Sequence, residues 1–416
     1  MLKYWKDLRH LPRPVWVVCG STLVNRAGSM VLTFLVLYLT RDRGFSAEHA
    51  GFVLFLYGLG SIVCAPLAGR LADRWGPVTL MRGSLFASGA MLLLYPLAKT
   101  PPAIFVVTLL LAMLTESFRP AAMAFFGEAV PTAQRKSAFA VYRLAINLGM
   151  AIGPAVGGLL ATVSFRWLFL ADGTTSLAAG LVLTLSGLAI RRGPRRAPAA
   201  DATTATRIRL STAAHADPRF LFFLASVLPV TIVFFQHISS MPLFVVRDLG
   251  MSAANFGLLF SLNCLLIVVL EVPLNAMTAH WPHRRTLAIG AILSGAGFGA
   301  MAFARGFASL AVTVVIWTFG EMLFFPSSAA YATDIAPENR RGEYSGLYTM
   351  TFSLAFAIGP WAGTVVFERL GARVLWGLTF LLGVLAAGMF LRLPEPATHH
   401  AAPPQTLPDA AGPAEI

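Results

Sequence analysis

The chain has 416 residues, of which 56% are hydrophobic and 12% are charged, and its formal net charge is +13. Soluble domains usually carry about 25% charged residues, so these few charges exclude a water-soluble protein of this size. At roughly 20 residues per transmembrane helix, the apolar content fills about ten to twelve spans and predicts a polytopic membrane protein.

Twelve apolar runs, separated by turn residues and charge clusters, predict an all-α protein with twelve transmembrane helices. They lie near 15–40, 50–70, 79–98, 103–127, 137–162, 167–190, 220–244, 254–276, 286–304, 308–332, 345–367 and 373–391. The first run is too long for a signal peptide and is expected to be retained as the first span.

Polar segments divide the chain into domains. Residues 191–219 are rich in Arg, Pro, Ala and Thr and predict a cytoplasmic linker between six-helix bundles at 15–190 and 220–392. Residues 1–14 form a short cytoplasmic N-terminal segment, and the tail at 393–416, rich in Pro and Ala, is predicted to be disordered and cytoplasmic.

The basic residues follow the topology of a membrane protein and do not indicate nucleic-acid binding. With the N-terminus in the cytoplasm, 21 Lys and Arg residues lie on the cytoplasmic side and 8 on the opposite side. This bias predicts a multi-pass protein of the cell (inner) membrane with both termini in the cytoplasm. The three remaining arginines, Arg26, Arg119 and Arg143, lie within the apolar runs.

The two halves of the chain are related by an internal repeat. A shift of 206 residues, without a gap, places the segment 41–47 (RDRGFSA) on 247–253 (RDLGMSA) and 151–154 on 357–360, both of which read AIGP. The repeat predicts two six-helix bundles of the same topology, related by an axis along the membrane normal and meeting at a central cavity.

Three motifs accompany this layout. The first is Gly69-Arg70-Leu71-Ala72-Asp73-Arg74-Trp75-Gly76, after the second span. The second is Gly149-x-x-x-Gly153-Pro154-x-x-Gly157-Gly158, in the fifth span. The third is Pro131-x-x-x-Arg135-Lys136 with its repeat copy Pro337-x-x-Arg340-Arg341. Together with the 6+6 arrangement, these motifs resemble the major facilitator superfamily, and within it the twelve-helix drug:proton antiporters.

The first motif is similar to the family's signature in the loop between spans 2 and 3. The resemblance implies a gate that locks one conformation, whereas the residues alone are also consistent with a loop held by a modest ion pair. The family's basic pair after the final glycine is replaced here by 77–78, a Pro-Val pair, so Arg82 is expected to substitute for it. The gating candidates are Gly69, Asp73, Arg74, Gly76 and Arg82.

The second motif matches the family's antiporter signature at every defined position and implies an exporter that runs against protons. Glycines four residues apart allow close helix packing, and the proline bends the helix, so a kinked, tightly packed span is the alternative interpretation. The candidates are Gly149, Gly153, Pro154, Gly157 and Gly158. The third motif is equally consistent with latches on the inner face and with simple topology determinants.

Ionisable groups at membrane depth cost at least about 2.5–3.5 kcal/mol on insertion scales, so each is expected to have a partner or a function. The substrate-cavity candidates are Asn25, Arg26, Arg119, Arg143, Asn147, Gln236, Phe34 and Tyr38. The candidates for proton coupling are Glu116, Glu321 and His237. Glu116 can pair with Arg119 on one helix face, His237 is equally consistent with ordinary hydrogen bonding, and Glu271 is as easily structural.

These features predict a secondary active transporter that works by alternating access, with proton-coupled antiport (efflux) of small amphipathic compounds or drugs. The buried arginines keep a proton-coupled symporter, or an exporter of an anionic or zwitterionic metabolite, as the alternative. The absence of Walker A, HExxH and GxSxG patterns argues against an enzyme. The expected partners are a small-molecule substrate, protons and the lipid bilayer, for a monomer without nucleic acid, metal or cofactor.

Overall fold

The computed structural model describes residues 11–188, 214–337 and 340–394. Within these ranges all regular secondary structure is helical, and 12 helical segments are long and apolar enough to cross a membrane. We number these segments spans 1–12. The predicted twelve-helix fold is thereby confirmed, whereas most of the predicted linker and tail lies outside the described residues.

The first half contains spans 1–6. Its helices are Arg13–Gly28 and Val31–Arg41 in span 1, Ala47–Trp75 in span 2, Pro77–Leu94 with the 3₁₀ turn Tyr95–Leu97 in span 3, Pro101–Glu116 and Phe118–Ala129 in span 4, Thr132–Val163 in span 5 and Phe165–Leu185 in span 6. Spans 1 and 4 are therefore each interrupted, although the apolar runs predicted continuous helices.

The second half repeats the order as spans 7–12. After the 3₁₀ turn Ala214–Ala216, its helices are Pro218–Phe234 with the short turns Phe235–Ile238, Ser240–Leu243 and Phe244–Asp248 in span 7, Ala253–Thr278 in span 8, His283–Ala300 with Met301–Phe303 in span 9, Phe307–Asp334 in span 10, Arg341–Leu370 in span 11 and Ala372–Leu391 in span 12.

The repeat is visible in the local structure that starts spans 2 and 8. Ser46 and Ser252, which align at the 206-residue offset, cap these helices by accepting a hydrogen bond from the backbone N–H three residues later, each at 3.2 Å. Gly44 and Gly250 precede the caps with φ of 69° and 65°, a backbone conformation that glycine adopts without strain. The same short sequence therefore builds the same turn twice.

The two halves meet closely at the end of the molecule that carries these turns, which we call the outer end. A methyl group added at Gly51 in span 2 would lie 3.1 Å from the Cα of Trp361 in span 11, and one at Gly158 in span 5 would lie 2.9 Å from the Cα of Ala254 in span 8. Such contacts require glycine, because a side chain would separate the helices. Both flanks of the interface are thus packed backbone against backbone.

Polar contacts reinforce this closure. Arg369 at the end of span 11 forms an ion pair of 2.9 Å with Glu48 at the start of span 2. The Arg41 guanidinium donates a hydrogen bond of 3.1 Å to the carbonyl of Val246, which links spans 1 and 7. Both contacts join the two halves, so the outer end is closed in this conformation.

Candidate functional site

A cavity of about 540 Å³ lies between the two halves, inward of the closed outer end. Seven of the residues predicted from the sequence line it: Asn25, Arg26, Glu116, Arg119, Asn147, His237 and Glu321. The wall from the first half carries both arginines, whereas the wall from the second half carries Glu321 among aromatic rings. The cavity therefore has one mixed-charge face and one face that combines an acid with aromatic side chains.

Glu116 lies at the break in span 4, and this break changes its partner. The sequence predicted a pair between Glu116 and Arg119 on one helix face, but the two side chains form no ion pair in the described part of the chain. The helix is interrupted at Ser117, because Pro120 has no N–H to bond to the carbonyl of Glu116. The Glu116 carboxylate instead accepts a hydrogen bond of 3.2 Å from the hydroxyl of Tyr57 in span 2.

Glu321 has an equivalent arrangement in the second half. Its carboxylate accepts a hydrogen bond of 2.8 Å from the side-chain amide of Asn263 in span 8, and this amide also donates to Thr318 at 3.1 Å. Asn263 aligns with Tyr57 at the 206-residue offset, so each half uses the same position of its second span to hold a carboxylate on its fourth. The alignment of the two halves contains this relation, but neither Tyr57 nor Asn263 was among the predicted site residues.

Asp172 in span 6 also lines the cavity but was not among the predicted site residues. Like Glu116 and Glu321, it is an acid at membrane depth, which requires a partner or a function. It is only 6% exposed, and its carboxylate accepts hydrogen bonds from the backbone N–H groups of Met30 and Val31 at 3.2 and 3.1 Å. One turn further on, Ser176 accepts a hydrogen bond of 3.0 Å from Asn25. Span 6 therefore holds span 1 through polar contacts on both sides of its break.

Four predicted cavity residues do not line the cavity in this conformation. Arg143 is turned toward span 8, where it forms an ion pair with Glu271 of the other half. Gln236 is buried and donates to the carbonyl of Gly359 at 2.8 Å, so its amide is used within the second half. These placements follow from long-range partners that the sequence pattern did not indicate.

Phe34 and Tyr38 lie in the outer segment of span 1, which is part of the closed outer end. Phe34 is fully buried and packs edge-on against Phe256 with ring centroids 5.4 Å apart, and Tyr38 is 1% exposed and packs against Phe169 at 4.8 Å. Neither ring lines the cavity in this conformation, and a part for them in substrate binding remains a prediction. The aromatic rings that do line it are Phe234, Phe235, Phe260, Phe356 and Tyr57.

The glycine motif of span 5 packs against the break in span 1. Added methyl groups at Gly149, Gly153 and Gly157 would lie 2.5 Å from the Cβ of Arg26, 3.2 Å from the carbonyl oxygen of Ala27 and 2.8 Å from the Cβ of Met30. The fourth glycine, Gly158, faces span 8 as described above, and Pro154 lies between the two contacts. The motif thus joins the interrupted helix to the interface between the halves.

The gating motif lies at the opposite, inner end of span 2. Gly76 ends this helix with φ of 90°, which explains the glycine, and Gly69 faces open space. Arg82 donates hydrogen bonds of 2.8 Å to the carbonyls of Leu183 and Leu188 at the end of span 6. Its role as a substitute for the family's basic pair, and the gate formed with Asp73 and Arg74, remain predictions.

Two bundles of six spans around a central polar cavity are the architecture of a secondary transporter. The sequence-family model of the Major Facilitator Superfamily matches residues 18–270 and 231–413 of this chain. The chain belongs to the major facilitator superfamily of membrane transporters.

Individual relatives are similar over most of the chain. The Na(+), Li(+), K(+)/H(+) antiporter of Planococcus maritimus is 24% identical over 368 residues, which cover 82% of this chain and 86% of that relative. Multidrug resistance protein 1 of Bacillus subtilis (strain 168) is 24% identical over 359 residues, covering 85% and 89%. A crystal structure of the peptide transporter POT in complex with sulfate matches with a TM-score of 0.75 at 17% identity, over 92% of this chain and 96% of that one, and supports the fold.

Proposed function

We propose that this transporter is a proton-coupled antiporter that exports small amphipathic compounds or drugs by alternating access. The observation that carries the proposal is the pair of carboxylates, Glu116 and Glu321, which face one cavity from opposite halves. Each is held by a hydrogen-bond donor from its own half, Tyr57 or Asn263. Two relatives, a Na(+), Li(+), K(+)/H(+) antiporter and a multidrug resistance protein, are consistent with this function.

The chemistry of the cavity supports a competition between protons and substrate. A carboxylate in a poorly solvated site is stabilised either by a proton or by a cationic group, because an isolated charge there is costly. Occupation by one therefore disfavours occupation by the other. If proton binding at Glu116 or Glu321 displaces a bound compound, proton entry drives its release.

The aromatic wall suits a substrate that is partly apolar. Phe234, Phe235 and Phe260 of the second half line the same cavity as Glu321, and their ring faces can attract a cation and bury apolar surface. His237 lies among them, with its ring centroid 4.5 Å from that of Phe234 and its Nδ1 2.6 Å from the carbonyl oxygen of the same residue. Because this contact engages Nδ1, the nitrogen left to exchange a proton in the cavity is Nε2. His237 is therefore a further candidate for proton coupling.

The proposed direction of transport depends on membrane orientation. We place both termini in the cytoplasm of a cell with the protein in its inner membrane, as the distribution of basic residues predicts. The closed end then faces outward, and the described conformation is the one that takes up a compound from the cytoplasm. Rocking of one half against the other would open the outer end.

A second candidate is a proton-coupled symporter, or an exporter of an anionic or zwitterionic metabolite. The observation that favours it is the presence of Arg26 and Arg119 in the cavity wall. The buried Nε of Arg26 has no hydrogen-bond partner among the described residues, so this guanidinium can bind a carboxylate or phosphate. Transport of an anion should depend on Arg26 and Arg119, whereas export of a cation should depend on Glu116 and Glu321.

Transport by purified protein in proteoliposomes with an imposed pH gradient tests both candidates. Cationic dyes, sugars and organic anions are compared as substrates for the wild type, Glu116→Gln, Glu321→Gln and the control Glu368→Gln, whose carboxylate lies at the outer end beside Arg247. We expect the pH gradient to drive export of a cationic amphiphile by the wild type and the control but not by the two cavity variants. Full proton-driven transport by both cavity variants would contradict the mechanism.

A further inference from the structure

The break in span 1 exposes backbone groups at the centre of the first half. The helix stops at Gly28 and restarts at Val31, with Ser29 and Met30 between the two segments. The first N–H groups of the restarted segment have no partner within their own helix, and such groups need an acceptor when they are buried. The break therefore depends on whatever supplies that acceptor.

Asp172 supplies the acceptor with a single carboxylate oxygen. Its Oδ2 accepts from the N–H of Met30 at 3.2 Å and from the N–H of Val31 at 3.1 Å. This position is the N-terminus of the outer helical segment, whose dipole favours a negative charge. Hydrogen bonds to an ionised carboxylate are also roughly twice as strong as those between neutral groups. The ionised form of Asp172 thus stabilises the break most strongly.

The other contacts at the break are apolar or neutral. The glycine motif of span 5 packs on it through Gly149, Gly153 and Gly157, and Asn25 bonds to the hydroxyl of Ser176. None of these contacts changes with pH. The carboxylate is consequently the titratable element in the attachment of the outer segment of span 1 to span 6.

The carboxylate also faces the cavity, together with the charged groups of the first half. The titratable and charged side chains of the first half that line the same cavity are Arg26 of span 1, Tyr57 of span 2, and Glu116 and Arg119 of span 4, and the second half adds His237 and Glu321. Spans 3 and 5 contribute only uncharged, non-titratable residues to the cavity, namely Ser88, Leu92, Ile146, Asn147 and Met150. A proton that enters the cavity can therefore reach Asp172. Protonation of the carboxylate would remove its attraction for Arg26, the adjacent cation.

We propose that Asp172 is a proton-responsive positioning residue that controls the break in span 1. When ionised it holds Met30 and Val31 and keeps the outer segment attached to span 6. A proton on the carboxylate weakens these hydrogen bonds and removes the charge that faces Arg26, so the outer segment is free to move against span 5. The inference rests on the proposed function in that it assigns a second consequence to proton entry, separate from substrate release at Glu116 and Glu321.

A single cysteine placed at Ser29 tests this directly, because Ser29 lines the cavity at the break. In a chain whose three native cysteines are replaced by alanine, we measure its labelling rate with a maleimide between about pH 5.5 and about pH 8.5. The rate in the Asp172→Asn background corrects for titration of the thiol itself, since the amide still accepts both hydrogen bonds but does not ionise. Thr174→Val, a change at an exposed position of span 6, is the matched control.

We expect the labelling rate, divided by that in the Asp172→Asn background, to rise by at least about threefold as the pH falls. Thr174→Val should retain this rise. The labelling rate involves no transport, so failure of the proposed function leaves the result unchanged. A ratio that is constant with pH overturns the inference. If Asp172→Asn does not fold, the wild-type rate is divided by that of free glutathione, and a constant ratio has the same meaning.

Discussion

The packing of Gly257 in span 8 makes a quantitative prediction about the conformational equilibrium. A methyl group added there would overlap the carbonyl oxygen of Pro154 in span 5 and would lie 3.1 Å from the Cα of Gly158. Because both contacts are with backbone, they cannot be relieved by rotation of a side chain. Gly257→Ala must therefore separate spans 5 and 8 at the outer end and destabilise the closed conformation.

The magnitude follows from the overlap. Overpacking by one methyl group typically costs about 1–3 kcal/mol, which corresponds to a roughly 5- to 150-fold change in a conformational equilibrium. Gly51 aligns with Gly257 in the repeat, and its added methyl group would overlap the Thr364 hydroxyl, which can rotate away, and lie 2.9 Å from the Cβ of Thr364 and 3.1 Å from the Cα of Trp361. It overlaps no backbone atom as closely as the methyl group at Gly257 does. We expect Gly51→Ala to shift the equilibrium in the same direction and by less.

Spin labels at Val163 and Leu370, exposed positions at the outer ends of spans 5 and 11, report the opening as a distance distribution. Gly257→Ala should enlarge the long-distance population, and Gly51→Ala should do so to a smaller extent. Gly388→Ala is the control, because a methyl group at Gly388 meets nothing within 4 Å. If Gly257→Ala leaves the distribution unchanged, or if Gly51→Ala has the larger effect, the reasoning from backbone overlap is refuted.

Two further predictions concern polar contacts within and between the halves. Asn263→Ala removes the hydrogen-bond donor to Glu321 and should destabilise the folded protein by about 1–3 kcal/mol, measured as a lower apparent melting temperature. Asn263→Asp places a second carboxyl group beside Glu321 and should also alter the pH dependence of transport. The ion pair between Arg143 and Glu271 joins the halves, so Arg143→Glu should reduce transport and Arg143→Glu with Glu271→Arg should restore it. Equal transport by the single and double variants would show that this pair has no part in the cycle.

The twelve spans could be predicted because the bilayer requires long apolar runs, and 206-residue self-similarity led directly to the two bundles. Seven polar candidates line the cavity because the bilayer also disfavours polar and charged groups that face lipid, so such groups lie inside the protein. The repeat also contained the donors Tyr57 and Asn263, since the same position in each half supports a carboxylate on the fourth span.

The interruption of span 4 has a local cause in Pro120, whereas that of span 1 was not predictable from local sequence. The break in span 1 depends on Asp172, a residue 142 positions away from Met30, and hydropathy gives no indication of such a partner. Arg143 likewise pairs with Glu271, 128 positions away and in the other half. Phe34 and Tyr38 are aromatic residues of the kind that can line a substrate cavity, but packing at the closed outer end buries them. Pairing over such distances depends on how the spans assemble.

Proton release on substrate binding tests the two-carboxylate account most directly. Purified protein in weakly buffered solution is mixed with a compound that it transports, and the pH is followed with an indicator dye. The account predicts that binding releases protons from the wild type, that Glu116→Gln and Glu321→Gln each release fewer, and that the double variant releases none. Undiminished release by the double variant, or proton uptake by the wild type, would contradict it.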